Sequence, residues 1–299
     1  MATPLPICYL NGAYLPLSEA RVSPLDRAFL FADSVYEVLP VFDGRMFRFR
    51  EHFDRLARSL REIRIESPHT HDEWLAILNE VVSRNGGANG DANGEVNMYV
   101  YVQVTRGMEF GRNHAFPAAV QPTIFIMASP LPAMTPEILE HGLAAVTVED
   151  FRWGRCDIKA TGLLANVLMK QQAADAGAQE AIIVRDGDVM EGSSTSIFVV
   201  TAGILATPPN SRRILPGTTR DAALELAAAA SMPLEVRRIA VAELHRADEV
   251  WLSAATRDVL PITRIDGRAV GSGKPGAQWR KMLAAFERLK TQLKGTPAL

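Results

Sequence analysis

The chain has little of what cross-linked or metal-built domains rely on. Only two cysteines, Cys8 and Cys156, occur in 299 residues, too few and too far apart for a disulfide framework or a zinc site, so no metal is expected. No apolar run approaches the roughly 20 residues of a membrane helix, which argues against a membrane partner. Neither sign of charge dominates: 32 basic side chains face 34 acidic ones. There is no basic stripe to follow a nucleic acid and no block of like charges to form an interaction tail. The first residues, Met-Ala-Thr-Pro-Leu-Pro, lack the charged region and apolar stretch of a secretory signal. A Gly-x-Ser-x-Gly elbow and a dinucleotide fingerprint are also missing. Gly271-Ser-Gly-Lys274 lacks the spacing of a phosphate loop, and His69 and His71 read as a solvated pair in a polar loop. The expectation is a soluble, cytoplasmic protein with length enough for two domains.

Local signals then divide the chain. Residues 7–10 and 13–16 read as strands around Asn11-Gly12, the strongest two-residue hairpin signal. Asp43-Gly44 separates a second pair, 35–42 and 45–49. A helix is expected over 50–64, with Phe53, Leu56, Leu60 and Ile63 on one face, and another over 72–83. The glycine- and asparagine-rich stretch 85–94 reads as a loop, and strands follow at 96–105 and 122–128. Three prolines in Pro130-Leu-Pro-Ala-Met-Thr-Pro136 oppose regular structure, so a linker is placed at 129–137 between a small domain 1–128 and a large domain 138–299 that carries Lys159. Beyond it come a strand near 143–149, a helix over 160–177 with Leu163, Leu164, Val167 and Leu168 as its apolar face, and a meander over 180–200. A helix over 219–230, a strand over 249–252 and a helix over 277–292 complete the reading. Hairpins mixed with separate helices indicate an α+β class.

Three segments carry chemistry in a fixed order. Lys159 lies in Arg152-Trp-Gly-Arg-Cys-Asp-Ile-Lys159; Glu191 follows 32 residues later, and Thr218 of Leu215-Pro-Gly-Thr-Thr-Arg a further 27. Alone, a lysine before an apolar helix is a solvated charge. Arg152 and Arg155 beside it offer like-charge repulsion that would favour its neutral, nucleophilic form. Alone, Glu191 is a strand-end acid; beside a pyridine ring, a carboxylate keeps the ring nitrogen protonated. Thr218 and Asp221 fit a capping box, and the same orphan amides can receive a phosphate. Each signal is weak singly. Together they match the aldehyde, ring nitrogen and phosphate of one cofactor.

On these segments, with Asp33-Ser-Val-Tyr36-Glu-Val and Glu51-His-Phe-Asp-Arg55-Leu, the chain resembles the class IV (fold type IV) pyridoxal-phosphate aminotransferases. The likeness covers nearly all of it. It implies a small N-terminal α/β domain, a larger C-terminal pseudo-barrel domain, and a homodimer with the active site near its interface. It also implies that Lys159 bonds pyridoxal 5'-phosphate and shuttles the proton, that Glu191 pairs with the ring nitrogen, and that Leu215 packs on the ring. Arg55, Thr218 and Thr219 would grip the phosphate, and Tyr36 would line the pocket. Arg112-Asn-His114 resembles the D-amino-acid branch, where an arginine and a histidine hold the substrate carboxylate from across the dimer. The loop from Gly107 to Arg112 is one residue longer than that branch's pattern, and Ser253-Ala-Ala-Thr256 replaces a hydroxyl-rich phosphate segment. The expected activity is ping-pong transamination between a D-amino acid and a 2-oxo acid. Alternatives are a branched-chain L-amino-acid or (R)-amine aminotransferase, an aminodeoxychorismate lyase, and a cofactor-free binding protein.

Overall fold

The structure, a computed structural model, describes residues 3–86 and 97–294. Most of the loop expected over 85–94, and the start of the strand expected from 96, lie outside them. The chain divides into two compact units. Among the described residues the first runs to Pro132 and takes in Ile158–Gly162 and the last turn of the chain from Gln292 to 294; the second is built from Ala133–Asp157 and Leu163–Thr291.

The first unit contains β1 (Ile7–Leu10), β2 (Ala13–Pro16), α1 (Arg27–Phe31), β3 (Ser34–Phe42), β4 (Arg45–Met46), α2 (Phe49–Glu62), α3 (His71–Arg84), β5 (Met98–Thr105) and β6 (Ile124–Pro130). Its six strands form one antiparallel sheet in the order β2-β1-β6-β5-β3-β4. Asn11 and Gly12 both take positive φ, 49° and 95°, as the tight β1–β2 turn requires. Helix α2 buries Phe53, Leu56 and Leu60 against Val35, Leu39, Val100 and Val102. A capping box starts α3: Thr70 Oγ1 accepts from the Glu73 amide, and the Thr70 amide donates to Glu73 at 2.8 Å.

The edge of β3 beyond the short β4 is covered by a segment from much later in the chain. The Tyr36 amide donates to the Lys159 carbonyl at 3.0 Å, Val35 and Ala160 form an isolated bridge, and the Thr161 amide donates to the Ser34 carbonyl. The lysine segment is therefore packed as an edge strand of the first unit, although its sequence neighbours belong to the second.

The second unit contains α4 (Pro136–His141), β7 (Leu143–Glu149), α5 (Leu164–Asp175), β8 (Glu180–Arg185), β9 (Asp188–Gly192), β10 (Ser196–Thr201), β11 (Ile204–Thr207), α6 (Thr218–Ala229), β12 (Leu234–Val236), α7 (Val241–Leu244), β13 (Glu249–Ala254), β14 (Asp258–Ile265), β15 (Arg268–Ala269) and α8 (Ala277–Lys294). Nine strands make a mixed sheet, β12-β11-β10-β13-β14-β7-β8-β9, with β15 beside β14. Its end strand β9 leads into β10 through only Ser193–Thr195, so the sheet curls back on itself as a pseudo-barrel. The architecture is α+β, as expected. Helix α6 packs Ala222, Ala223 and Ala227 with Trp251, Trp279 and Phe286; small side chains let a helix approach the sheet closely.

Two local expectations fail for identifiable reasons. Helix α5 begins at Leu164, not 160, because Ala160 is committed to the bridge with Val35. Its supposed core face is exposed: Leu164, Val167 and Leu168 show 72%, 59% and 48% of their surface, while Met169 and Ala173 are buried. The apolar period is real, but it faces away from this chain's own core.

Candidate active-site residues in the two units

In the first unit the Lys159 segment runs along the edge of β3, whose alternate side chains project to opposite faces. On one face Lys159 Nζ lies 4.1 Å from the centre of the Tyr36 ring, and Tyr36 stacks on Tyr101 at 5.5 Å. Burial, with the Tyr36 charge, pushes the Tyr101 phenol up to about 12, so it stays protonated and donates to Gln103 at 2.8 Å. The Lys159 amide donates to Ser59 Oγ at 3.3 Å. The amine therefore stands on an aromatic face, from a backbone fixed on both sides.

On the opposite face Glu37 is fully buried. Arg55, from α2, grips it with two bonds, Nε to Oε1 at 2.7 Å and Nη2 to Oε2 at 2.8 Å, and His52 Nδ1 reaches Oε2 at 2.8 Å. Burial pushes this carboxyl up, but the Arg55 charge and the bonds from Arg55 and His52 overcome it and hold the group well below its ordinary value. Burial in turn pushes His52 down, against the pull of Glu37. The guanidinium assigned to the phosphate is thus fixed in plane by a carboxylate. Neither Glu37 nor His52 is singled out in the sequence; the signal was a charged residue on the apolar period of β3.

Arg112 and His114 come together on Phe31: the guanidinium sits 5.0 Å and the imidazole 5.2 Å from that ring. Among the described residues the Arg112 guanidinium has no hydrogen-bond or ion-pair partner, and both side chains are exposed. A guanidinium without such a partner can take a carboxylate, and an imidazole against the same ring can add a donor.

In the second unit Glu191, on β9, is buried. Arg152 Nη1 donates to its Oε1, and the Leu215 amide to its Oε2 at 3.0 Å, so Glu191 and Leu215 are brought together. Burial pushes the Glu191 carboxyl up; Arg152 and the Leu215 amide oppose this, Asp150 reinforces it, and the net direction is upward. The role expected of Arg152 and Arg155 is corrected here. Arg152 pairs with Asp150 at 3.0 Å and with Glu191, and Arg155 pairs with Asp157 at 3.0 Å. Their charges are neutralised by carboxylates of their own unit.

The capping box at Thr218 is also corrected. Gly217 is the N-cap, with no side-chain cap bond, and Thr218 and Thr219 are the first residues of α6, both buried. A Cβ on Gly217 would come within 2.7 Å of Ser196 Oγ. Ser196 lies opposite Ser253 in the β10–β13 register, and the buried Ser253 hydroxyl has no hydrogen-bond partner among the described residues. The orphan Ser253 hydroxyl and the N-terminal end of a twelve-residue helix make a donor set that fits a phosphate. A carboxylate with room for a further donor fits a ring nitrogen in the same way. Ser253, missed as a side chain in the sequence, is recognisable only once β10 and β13 are paired.

The profile of the family described as amino-transferase class IV matches residues 34–265, and the chain belongs to that family. It is 36% identical to the D-alanine aminotransferase of Staphylococcus haemolyticus over 285 residues, 94% of this chain and 96% of that protein. The D-alanine aminotransferase of Bacillus licheniformis is likewise 36% identical, covering 93% and 94% of the two chains. Among solved structures, the Escherichia coli branched-chain amino acid aminotransferase superposes with a TM-score of 0.87 at 27% identity, over 97% of this chain and 96% of that one. A second branched-chain amino acid aminotransferase, that of T.th., solved with pyridoxamine 5'-phosphate, gives 0.86 at 26% identity, covering 96% and 95%. The family works with pyridoxal 5'-phosphate, and the donor sets above fit it.

Proposed function

We propose that this chain is a D-amino-acid transaminase that moves an amino group from a D-amino acid to a 2-oxo acid in a ping-pong cycle. The observation that carries the choice of substrate is the Arg112 guanidinium, unpaired among the described residues, lying with His114 against the Phe31 ring. Identity to D-alanine aminotransferases along nearly the whole chain supports the same reading. Bound pyridoxal 5'-phosphate supplies the carbonyl that takes up the amino group and the ring that draws electrons from the α-carbon.

The protein's own residues then have separate tasks. Lys159 holds the cofactor and, once released, accepts the α-proton at Nζ and returns a proton in the second half of the cycle. Tyr36 holds that amine over an aromatic face. Glu191 keeps the ring nitrogen protonated, and Leu215, whose amide anchors Glu191, packs on the ring. Arg55, Thr218 and Thr219 bind the phosphate, joined by the Ser253 hydroxyl. Arg112 and His114 hold the substrate carboxylate, which fixes the face of the α-carbon offered to Lys159.

The protein is further proposed to act as a cytoplasmic homodimer, with the carboxylate pair serving the partner's site. None of the described helices is long and apolar enough to cross a membrane. Phe29, Phe110 and Phe116 of the first unit and Trp153, Leu164 and Val167 of the second are more than half exposed, a burden of apolar surface that favours a covered interface. The fold is also that of branched-chain enzymes, and the Arg112–His114 pair speaks against that substrate. A donor panel of D-alanine, D-glutamate, L-leucine and (R)-1-phenylethylamine with one shared acceptor tests the reading. Preference for L-leucine over both D-amino acids would overturn it.

A further inference from the structure

Arg27 carries a buried charge that none of the chemistry above uses. It is the first residue of α1, only 3% exposed, and its guanidinium reaches both ends of the loop that bears Arg112 and His114. Nε donates to Asp33 Oδ2 at 2.9 Å. Nη1 donates to Glu109 Oε2 at 3.0 Å and to the Asn113 carbonyl at 2.6 Å, and Nη2 donates to the His114 carbonyl at 3.3 Å. The same guanidinium lies 4.8 Å from the centre of Phe31, the ring on which Arg112 and His114 rest.

The neck of this loop is closed independently. The Arg27 amide donates to the Gly107 carbonyl at 2.9 Å, and Asp26 bridges Met108. Gly107 has φ +104°, and a Cβ there would meet the Gln121 carbonyl oxygen at 2.0 Å. Asp26 also accepts from Thr105 at 3.0 Å and Thr123 at 2.7 Å, one on each side of the neck. Asp33 is itself gripped by Arg106, Nε to Oδ2 at 2.7 Å and Nη2 to Oδ1 at 3.0 Å. Asp26 and Gly107 thus settle where the loop leaves the sheet. Arg27 settles where its tip sits, because among the described residues it alone bonds the Asn113 and His114 carbonyls and the Glu109 side chain. A rigid, planar donor fork suits that task, since its bonds leave in fixed directions.

We propose that Arg27 is the positioning residue for substrate-carboxylate recognition: it locks the 107–114 loop so that Arg112 and His114 are held ready for the carboxylate. This rests on the assignment of that pair to the substrate carboxylate. The proposal separates two effects. Loosening the loop lowers affinity for carboxylates while the chemistry at Lys159 proceeds unchanged.

The test uses the cofactor-loaded enzyme and two readouts, the KM and kcat for D-alanine and the inhibition constant of propionate, an unreactive carboxylate. Arg27→Gln is expected to raise both the KM and the propionate constant about tenfold, the scale of one or two lost charged hydrogen bonds, with kcat within about twofold. Glu109→Gln, which removes one contact at a partly exposed position and leaves the core intact, should give a smaller rise in both, about threefold. In an Arg112→Ala background either change should add nothing further, because the positioned group is gone. If Arg27→Gln does not fold, Glu109→Gln decides alone. Unchanged KM and propionate inhibition in every folded variant, while Arg112→Ala weakens both, would overturn the positioning role alone. Arg112→Ala without effect on propionate would instead remove the carboxylate assignment beneath it.

Discussion

Two buried glutamates, one in each unit, meet arginine in opposite ways. Glu37 receives a two-bond grip from Arg55 and a third bond from His52, and its carboxyl is held below the ordinary value. Glu191 receives one bond from Arg152 and one from the Leu215 amide, with Asp150 nearby, and its carboxyl is pushed above the ordinary value. Desolvation is the largest influence on both. The difference is how completely partners offset it. Glu37 is saturated and belongs to the scaffold that aims Arg55. Glu191 is under-compensated, so a further cation beside it would be stabilised, the place proposed above for a protonated ring nitrogen.

The largest expected effect lies outside the pair and calibrates it: Lys159→Ala should abolish transamination and the visible absorbance of bound cofactor, and near-normal turnover would refute the assignment. Next, Glu37→Gln leaves a buried guanidinium without its counter-ion and should cost about 3–5 kcal/mol of stability by urea denaturation. Glu191→Gln should cost far less stability but lower kcat by roughly a hundredfold or more, a transition-state loss of about 3 kcal/mol. Equal stability losses for the two would erase the contrast.

Arg112→Ala should raise the KM for D-amino acids by roughly tenfold or more, the scale of a charge-assisted bidentate contact, and spare neutral amines. Equal losses on both donor types would remove the carboxylate role.

The smallest effect is in pH dependence, measured on cofactor-free protein. A depressed carboxyl adds stability above its unfolded value, and that contribution is lost as pH falls below 4.5 through the lowered folded value. A raised carboxyl acts the other way: its contribution is present below 4.5 and is lost as pH rises through the raised folded value. Glu37→Gln should therefore flatten the acid side of the stability profile, and Glu191→Gln the region above 4.5. The urea midpoint, followed from roughly pH 3 to pH 7, checks both, and profiles that move in the same direction would contradict the contrast.

What was legible in the sequence was what local chemistry decides. Asn11-Gly12 and Asp43-Gly44 specify turns by backbone preference, and the Phe53-Leu56-Leu60 stripe specifies α2 by period. The fold class followed from the mixture, and the family from five short motifs. Long-range pairing stayed hidden. Nothing near Lys159 announces that its segment edges β3, or that Arg152 turns to Glu191, 39 residues on. Ser253 becomes interesting only opposite Ser196, and Arg27 only beside Glu109, 82 residues away. The exposed face of α5 shows the other failure, since periodicity reports an apolar face without saying what covers it.

The edge pairing of Lys159–Thr161 on β3 has a consequence for dividing this chain. A fragment ending at Pro132 would keep all six strands of the first sheet, but would leave the start of β3 with unpaired amides and carbonyls. Such an open edge invites pairing with other copies. The complementary fragment would carry Lys159 with no β3 to seat it. Neither piece is a self-sufficient module, and a split version of the protein should recover only when the two are folded together.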